Sequence, residues 1–269
     1  MKIGIHLNCC MGNVPIEEQI RLMKENGFAT TFCMSDIENV DEVIETVQKA
    51  GVEFENLHAP FRKINAMWEE DEAAAQEALN ELFAAVDTCA RHGIPVLVVH
   101  VAVSNPPAIV TDKGFERYDK LMEYAREKGV TIAYENTRAI GKLITIVERY
   151  EDAGFCWDVG HESVMTRGIT YMPFLDAKLV ALHLHDNMAQ FGKDWHMIPF
   201  DGVANMENAA KQLADCGYEK SIMLESIQRS YVKYADYTPE QFYKCAGEAA
   251  RKFADMVEAY KANKIADSK

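Results

Sequence analysis

Short apolar runs recur along this chain at intervals of roughly 30 residues, and a helix-patterned segment follows each one. No other feature constrains the fold as much. Strand, crossover helix and strand in alternation imply parallel pairing with right-handed connections. The expected strands are Lys2–Asn8, Phe28–Met34, Phe54–His58, Val96–Val101, Val130–Glu135, Phe155–Asp158, Leu179–His183 and Ser221–Glu225. Val96–Val101 is apolar throughout, as a strand covered on both faces should be. Helices are expected from Pro15 to the stop at Gly27, then at Val40–Ala50, Trp68–His92, Phe115–Lys128 and Ile140–Tyr150. A short helix near Glu162, then Asn205–Cys216 and Pro239–Ala262, complete the series. Eight such units point to a closed α/β barrel of the (β/α)8 TIM type, one domain over residues 1–269. An open doubly wound sheet is the alternative, but no glycine-rich phosphate turn follows the first strand.

In a barrel of this kind, function sits at the C-terminal ends of the strands. Six consecutive apolar runs here end in a residue able to bind a divalent cation: His58, His100, Glu135, Asp158, His183 and Glu225. A single His or Glu in such a place is ordinarily a solvated loop residue. Recurrence changes the weight, because a charge that ends a buried apolar run needs a partner, and a shared cation supplies one. Glu135, Asp158, His183 and Glu225 come from strands five to eight. Three carboxylates with one imidazole suit Mn, Mg, Co or Zn. Glu135 and Glu225, the outermost pair, are placed to pass a proton across a small substrate as base and acid. A second group is His58, His100, Asp194 and His196, with D-x-H spacing at Asp194 and His196 and D-x-x-H spacing at Asp158 and His161. Two or three ions could then share the mouth.

The net charge of −14 argues against a nucleic-acid partner, which calls for a basic face. The seven cysteines are odd in number and show no C-x-x-C spacing, which fits free thiols in a reducing compartment. The opening MKIGIHLN reads as a strand rather than a signal peptide, and no apolar run reaches the roughly 18 residues of a membrane span. The expectation is a cytoplasmic protein with no membrane contact; a homo-oligomer is left open.

The stretches HAPF (58–61), YENT (134–137), WDVGH (157–161), HLHDN (183–187), DWH (194–196) and LES (224–226) occur in the order found in a known family. The chain resembles the xylose isomerase-like TIM barrels: sugar-phosphate isomerases and epimerases, inosose dehydratases, ketose 3-epimerases and endonuclease IV. Resemblance to the epimerases implies one metal on Glu135, Asp158, His183 and Glu225. It also implies acid/base roles for Glu135 and Glu225, and His161 on a substrate oxygen. Resemblance to endonuclease IV widens the metal set to His58, His100, Glu135, Asp158, His161, His183, Asp194, His196 and Glu225, around three zinc ions. His183 is preferred to His185 because it precedes Asp186 by three residues, as in the family's H-x-x-D pattern; His185 is then expected to face the other way.

The expected function is therefore a divalent-metal-dependent isomerase or epimerase of a sugar or sugar phosphate. A zinc phosphodiesterase acting on abasic DNA and a non-catalytic sugar-binding barrel are the alternatives. Arg138, Arg167, Lys193 and Arg229 lie in loops after strands five to eight, and Arg229 is the expected holder of a substrate phosphate. Trp68, Trp157 and Trp195 are candidates for an apolar wall against a sugar ring.

Overall fold

The structure, a computed structural model, describes residues 1–10, 12, 14–103, 109–166 and 169–267. Arg167 and residues 104–108 of the loop after the fourth strand lie outside them. Eight parallel strands form one sheet: β1 (Ile3–His6), β2 (Thr30–Met34), β3 (Glu53–His58), β4 (Val96–His100), β5 (Thr131–Glu135), β6 (Gly154–Asp158), β7 (Leu179–His183) and β8 (Ile222–Leu224). Neighbours follow chain order, and β1 also pairs β8. Between β7 and β8, the Leu184 amide donates to Met223 O at 2.8 Å and the Glu225 amide to Leu184 O at 3.0 Å. These bonds close the sheet into the expected (β/α)8 TIM barrel.

The helices α1 (Ile16–Glu25), α2 (Val40–Lys49), α3 (Glu72–His92), α4 (Asp112–Lys128), α5 (Ile140–Arg149), α6 (Val159–Met165), α7 (Met172–Leu175), α8 (Met206–Asp215) and α9 (Pro239–Asp267) surround it. Their starts differ from expectation where a cap decides. Asp71 accepts from the amides of Ala73 and Ala74 and Thr111 from that of Gly114, so α3 and α4 begin at Glu72 and Asp112. Residues Ile64–Trp68, ahead of that Asp71 cap, form a separate 3₁₀ turn. Gly93 and Gly129 end α3 and α4 at φ of 68° and 70°, where a Cβ would be strained. Among the described residues, no helix is long and apolar enough to cross a membrane.

The barrel interior explains where the polar groups point. Val98, Ala133, Cys156 and Ala181 belong to a small interior cluster. Side chains alternate along a strand, so the residue two further on faces the same axis. Those residues are His100, Glu135, Asp158 and His183. Register pairs His100 with Glu135 and Asp158 with His183, while Glu135 pairs with Cys156, two residues before Asp158 on the same face.

Candidate metal centre

The groups at the mouth form one connected array. Glu135 is 1% exposed and stands at its centre. Its Oε2 lies 2.7 Å from His100 Nε2 and 3.1 Å from His58 Nε2; its Oε1 lies 3.2 Å from His183 Nδ1. Glu225 brings Oε2 to within 3.2 Å of the same His183 Nδ1. Donor atoms of Glu135, Asp158, His183 and Glu225 all lie within 4.8 Å of one another, and those of His58, His100 and Glu135 form a second such group.

A third group is His161, His185, Asp194 and His196. Asp194 Oδ2 is 2.9 Å from His161 Nε2 and 3.1 Å from His196 Nε2. Asp158 joins this group to the carboxylate-rich one, because His185 Nε2 is 3.0 Å from its Oδ1. Asn136 holds Asp158 in place, donating to its carbonyl at 2.8 Å and accepting from its amide at 2.7 Å. Asp158 also caps α6, accepting from the His161 amide at 2.6 Å.

The donor set fits divalent cations. His58, His161 and His196 each place Nδ1 on a backbone carbonyl, at 2.8, 3.1 and 2.9 Å, and turn Nε2 toward a carboxylate. Nδ1 donating to a carbonyl fixes the tautomer and leaves the Nε2 lone pair free, as metal-binding histidines require. Among the described residues, His183 Nε2 and His100 Nδ1 are buried without a hydrogen-bond partner, and Glu225 Oε2 finds no well-aligned donor despite His183 nearby. Such orphaned atoms are costly unless something else contacts them.

The charges support one another. Burial pushes the Glu135 and Glu225 carboxyls up, but His100 and His183 beside Glu135, and His183 beside Glu225, hold both well below the ordinary range. Burial disfavours charge on His183, yet Cys156, Glu225 and Glu135 raise it well above a normal imidazole. Burial likewise opposes charge on His196, and Asp194 overrides it, pushing the group up to about 9. Asp158 is raised, chiefly by burial.

A cavity of about 320 Å³ opens above this array, at the small end of the roughly 300–1,000 Å³ usual for small-molecule sites. His58, His100, His161, Asp194, His196 and Glu225 line it; Glu135 lies beneath.

All nine expected ligands therefore converge. His185 joins them, contrary to the expectation that it turns away: His183 and His185 are two residues apart, and period-two alternation puts both on the axial side. Its imidazole fills the space where a Gly160 Cβ would stand. Alternation was the signal in the sequence that could have found it. Asn136 and Asn187 were also missed. Asn187 donates to Asp194 Oδ1 at 3.0 Å and accepts from the Trp195 amide at 2.6 Å. Arg229 is not brought in. The chain leaves β8 through Ile227 into a 3₁₀ turn at Gln228–Ser230, which carries Arg229 to the exposed surface away from the described cavity lining. Trp68 and Trp157 are buried packing residues, their indole N–H groups donating to Val101 O and Glu162 Oε2.

The sequence profile of the xylose isomerase-like TIM barrel family matches residues 34–252. The chain belongs to that family. Among family-like relatives, the uncharacterized protein y4fM of Sinorhizobium fredii is 26% identical over 188 residues, 64% of this chain and 58% of its own length. The solved structure of L-ribulose 3-epimerase superposes with a TM-score of 0.77 at 14% identity, covering 100% of this chain and 99% of that one. The IOLI protein, solved with a binding zinc atom, superposes with a TM-score of 0.73 at 18% identity, covering 97% and 99%. At these identities the likeness to the two structures is one of fold.

Proposed function

We propose that the protein is a divalent-metal-dependent isomerase or epimerase acting on a sugar or sugar phosphate. The observation that carries this reading is the approach of Glu135, Asp158, His183 and Glu225 to within 4.8 Å of one another under an open cavity. Those four residues would hold the cation. When bound, it supplies positive charge that offsets the negative charge developing on substrate oxygens.

The chain's own groups move the proton. Glu225, in the cavity wall, takes a proton from the carbon beside the substrate carbonyl, and Glu135 is its partner for the return. Flanking imidazoles favour the ionised form of both carboxylates, which suits Glu225 as the base; Glu135 returns a proton that it first takes from a substrate hydroxyl or from solvent through the cavity. His161, also in the cavity wall, holds a substrate oxygen. Solved relatives of the same fold that are named as sugar epimerases support this choice of substrate. The test is incorporation of solvent deuterium into a ketose, measured by NMR with Glu225→Gln as control. No incorporation by the metal-loaded wild type over a panel of ketopentoses and ketohexoses would remove the reading.

A second reading rests on the other two ligand groups. Three clusters joined through Glu135 and Asp158 also suit a zinc phosphodiesterase acting on abasic DNA. Against it stands the net charge of −14. Chelator-sensitive cleavage of an abasic duplex by zinc-loaded protein at low salt would decide for it.

A further inference from the structure

The cavity wall contains one lysine or arginine among its described residues, and it is Arg138 rather than Arg229. Arg138 follows β5 and directly precedes α5, with Thr137 and Ala139 beside it in the same wall. The chain carries 42 acidic residues, yet Arg138 makes no ion pair among the described residues. Its Nε is buried and has no hydrogen-bond partner among the described residues. Its guanidinium instead lies 5.7 Å from the ring centroid of Phe191.

That arrangement is unusual for an arginine. A guanidinium presents five N–H donors in a planar fork, and leaving a buried one unbonded costs free energy. The surroundings add to the positive field. The N-terminus of α5 has no side-chain cap and no acidic residue in its first turn, so its helix dipole is not offset locally. The Phe191 ring engages the guanidinium through its charge and does not take up its N–H donors as a carboxylate would, which leaves the fork able to take an oxyanion in two parallel bonds. Of the other polar groups in the wall, Thr137 donates to Ala102 O, and the histidines and carboxylates belong to the candidate metal centre, so none of them is a cation available to an oxyanion outside that centre.

We propose that Arg138 forms an oxyanion subsite in this cavity, so that the substrate is a sugar carrying a phosphate or carboxylate group. The inference rests on the sugar reading above and adds the charge class of the substrate. The helix N-terminus strengthens the subsite, and Phe191 lies against the guanidinium.

Calorimetric binding to the metal-loaded protein tests it. The probes are D-ribulose 5-phosphate, D-glucuronate, their neutral counterparts D-ribulose and D-glucose, and inorganic phosphate alone. The wild type is expected to bind one of the two charged sugars at least about tenfold more tightly than its neutral counterpart. The charged sugar that shows the preference tells phosphate from carboxylate. In Arg138→Gln that preference disappears, while neutral-sugar binding and melting temperature stay unchanged. Equal binding of charged and neutral sugars by the wild type overturns the subsite. So does loss of the preference in Arg229→Gln with its retention in Arg138→Gln. If no sugar binds but inorganic phosphate binds in an Arg138-dependent way, the oxyanion subsite stands and the sugar reading falls.

Discussion

The Oε1 atom of Glu135 stands 3.2 Å from Nδ1 of His183. One histidine nitrogen thus faces a carboxylate whose other oxygen already serves His58 and His100. Glu135 belongs to the group with Asp158, His183 and Glu225, to that with His58 and His100, and to a further one with Cys156 and His183; Glu225 belongs to the first alone.

This difference separates two variants. Glu225→Gln should lower deuterium exchange into a ketose by about a hundredfold or more, with only part of the bound metal lost. Glu135→Gln should abolish exchange and also strip metal from the protein, as elemental analysis of the purified variant would show. Full metal content in Glu135→Gln would contradict the shared position of that residue.

Metal uptake should release protons. His196 is protonated up to about 9 because Asp194 outweighs the effect of burial, and a cation needs the unprotonated ring. Apparent affinity for zinc should therefore rise as pH increases from 6 toward 9, with protons released in weakly buffered solution at pH 7. For the chelated protein the sign is opposite. A raised histidine pKa contributes stability that is complete below the unfolded value near 6.5 and is lost as pH rises through about 9. Chelated protein should then melt at a lower temperature at pH 9.5 than at pH 7, and calorimetry checks this.

Gly160→Ala should act on His185. The added Cβ would meet the imidazole, which is fully buried and has no room to retreat. A loss of about 1–3 kcal/mol in stability is expected from the overpacking. Fewer cations should be retained at the group containing His161, His185, Asp194 and His196, as measured by metal analysis after dialysis.

Asp186 holds the loop that carries Asp194 and His196. Its carboxylate accepts from the amides of Asn187 at 2.7 Å, Gly202 at 2.9 Å and Ala204 at 2.9 Å. Asp186→Ala leaves three backbone donors, that of the buried Asn187 and those of the half-buried Gly202 and Ala204, without a partner and should cost about 2–4 kcal/mol in a urea melt. Asp186→Asn keeps one accepting oxygen and should cost less.

The barrel was legible because its signal is periodic. Val96–His100 and Leu179–His183 are short apolar runs, and the residues that end them fall where alternation aims them inward. His185 was hidden because a motif spacing was allowed to outweigh the two-residue period of the strand. Arg229 was preferred to Arg138 without grounds that sequence can supply, since loops after two different strands carry them and only the path of each loop decides which reaches the cavity. The split of the expected helix start into a 3₁₀ turn and α3 turned on the Asp71 cap, a side-chain bond that hydrophobic pattern does not encode.

The most direct test is an anomalous-difference map from crystals grown with zinc, recorded on either side of the zinc edge. The account predicts a peak bounded by Glu135, Asp158, His183 and Glu225. A map with no peak there, or with zinc only at sites away from the barrel mouth, would contradict it.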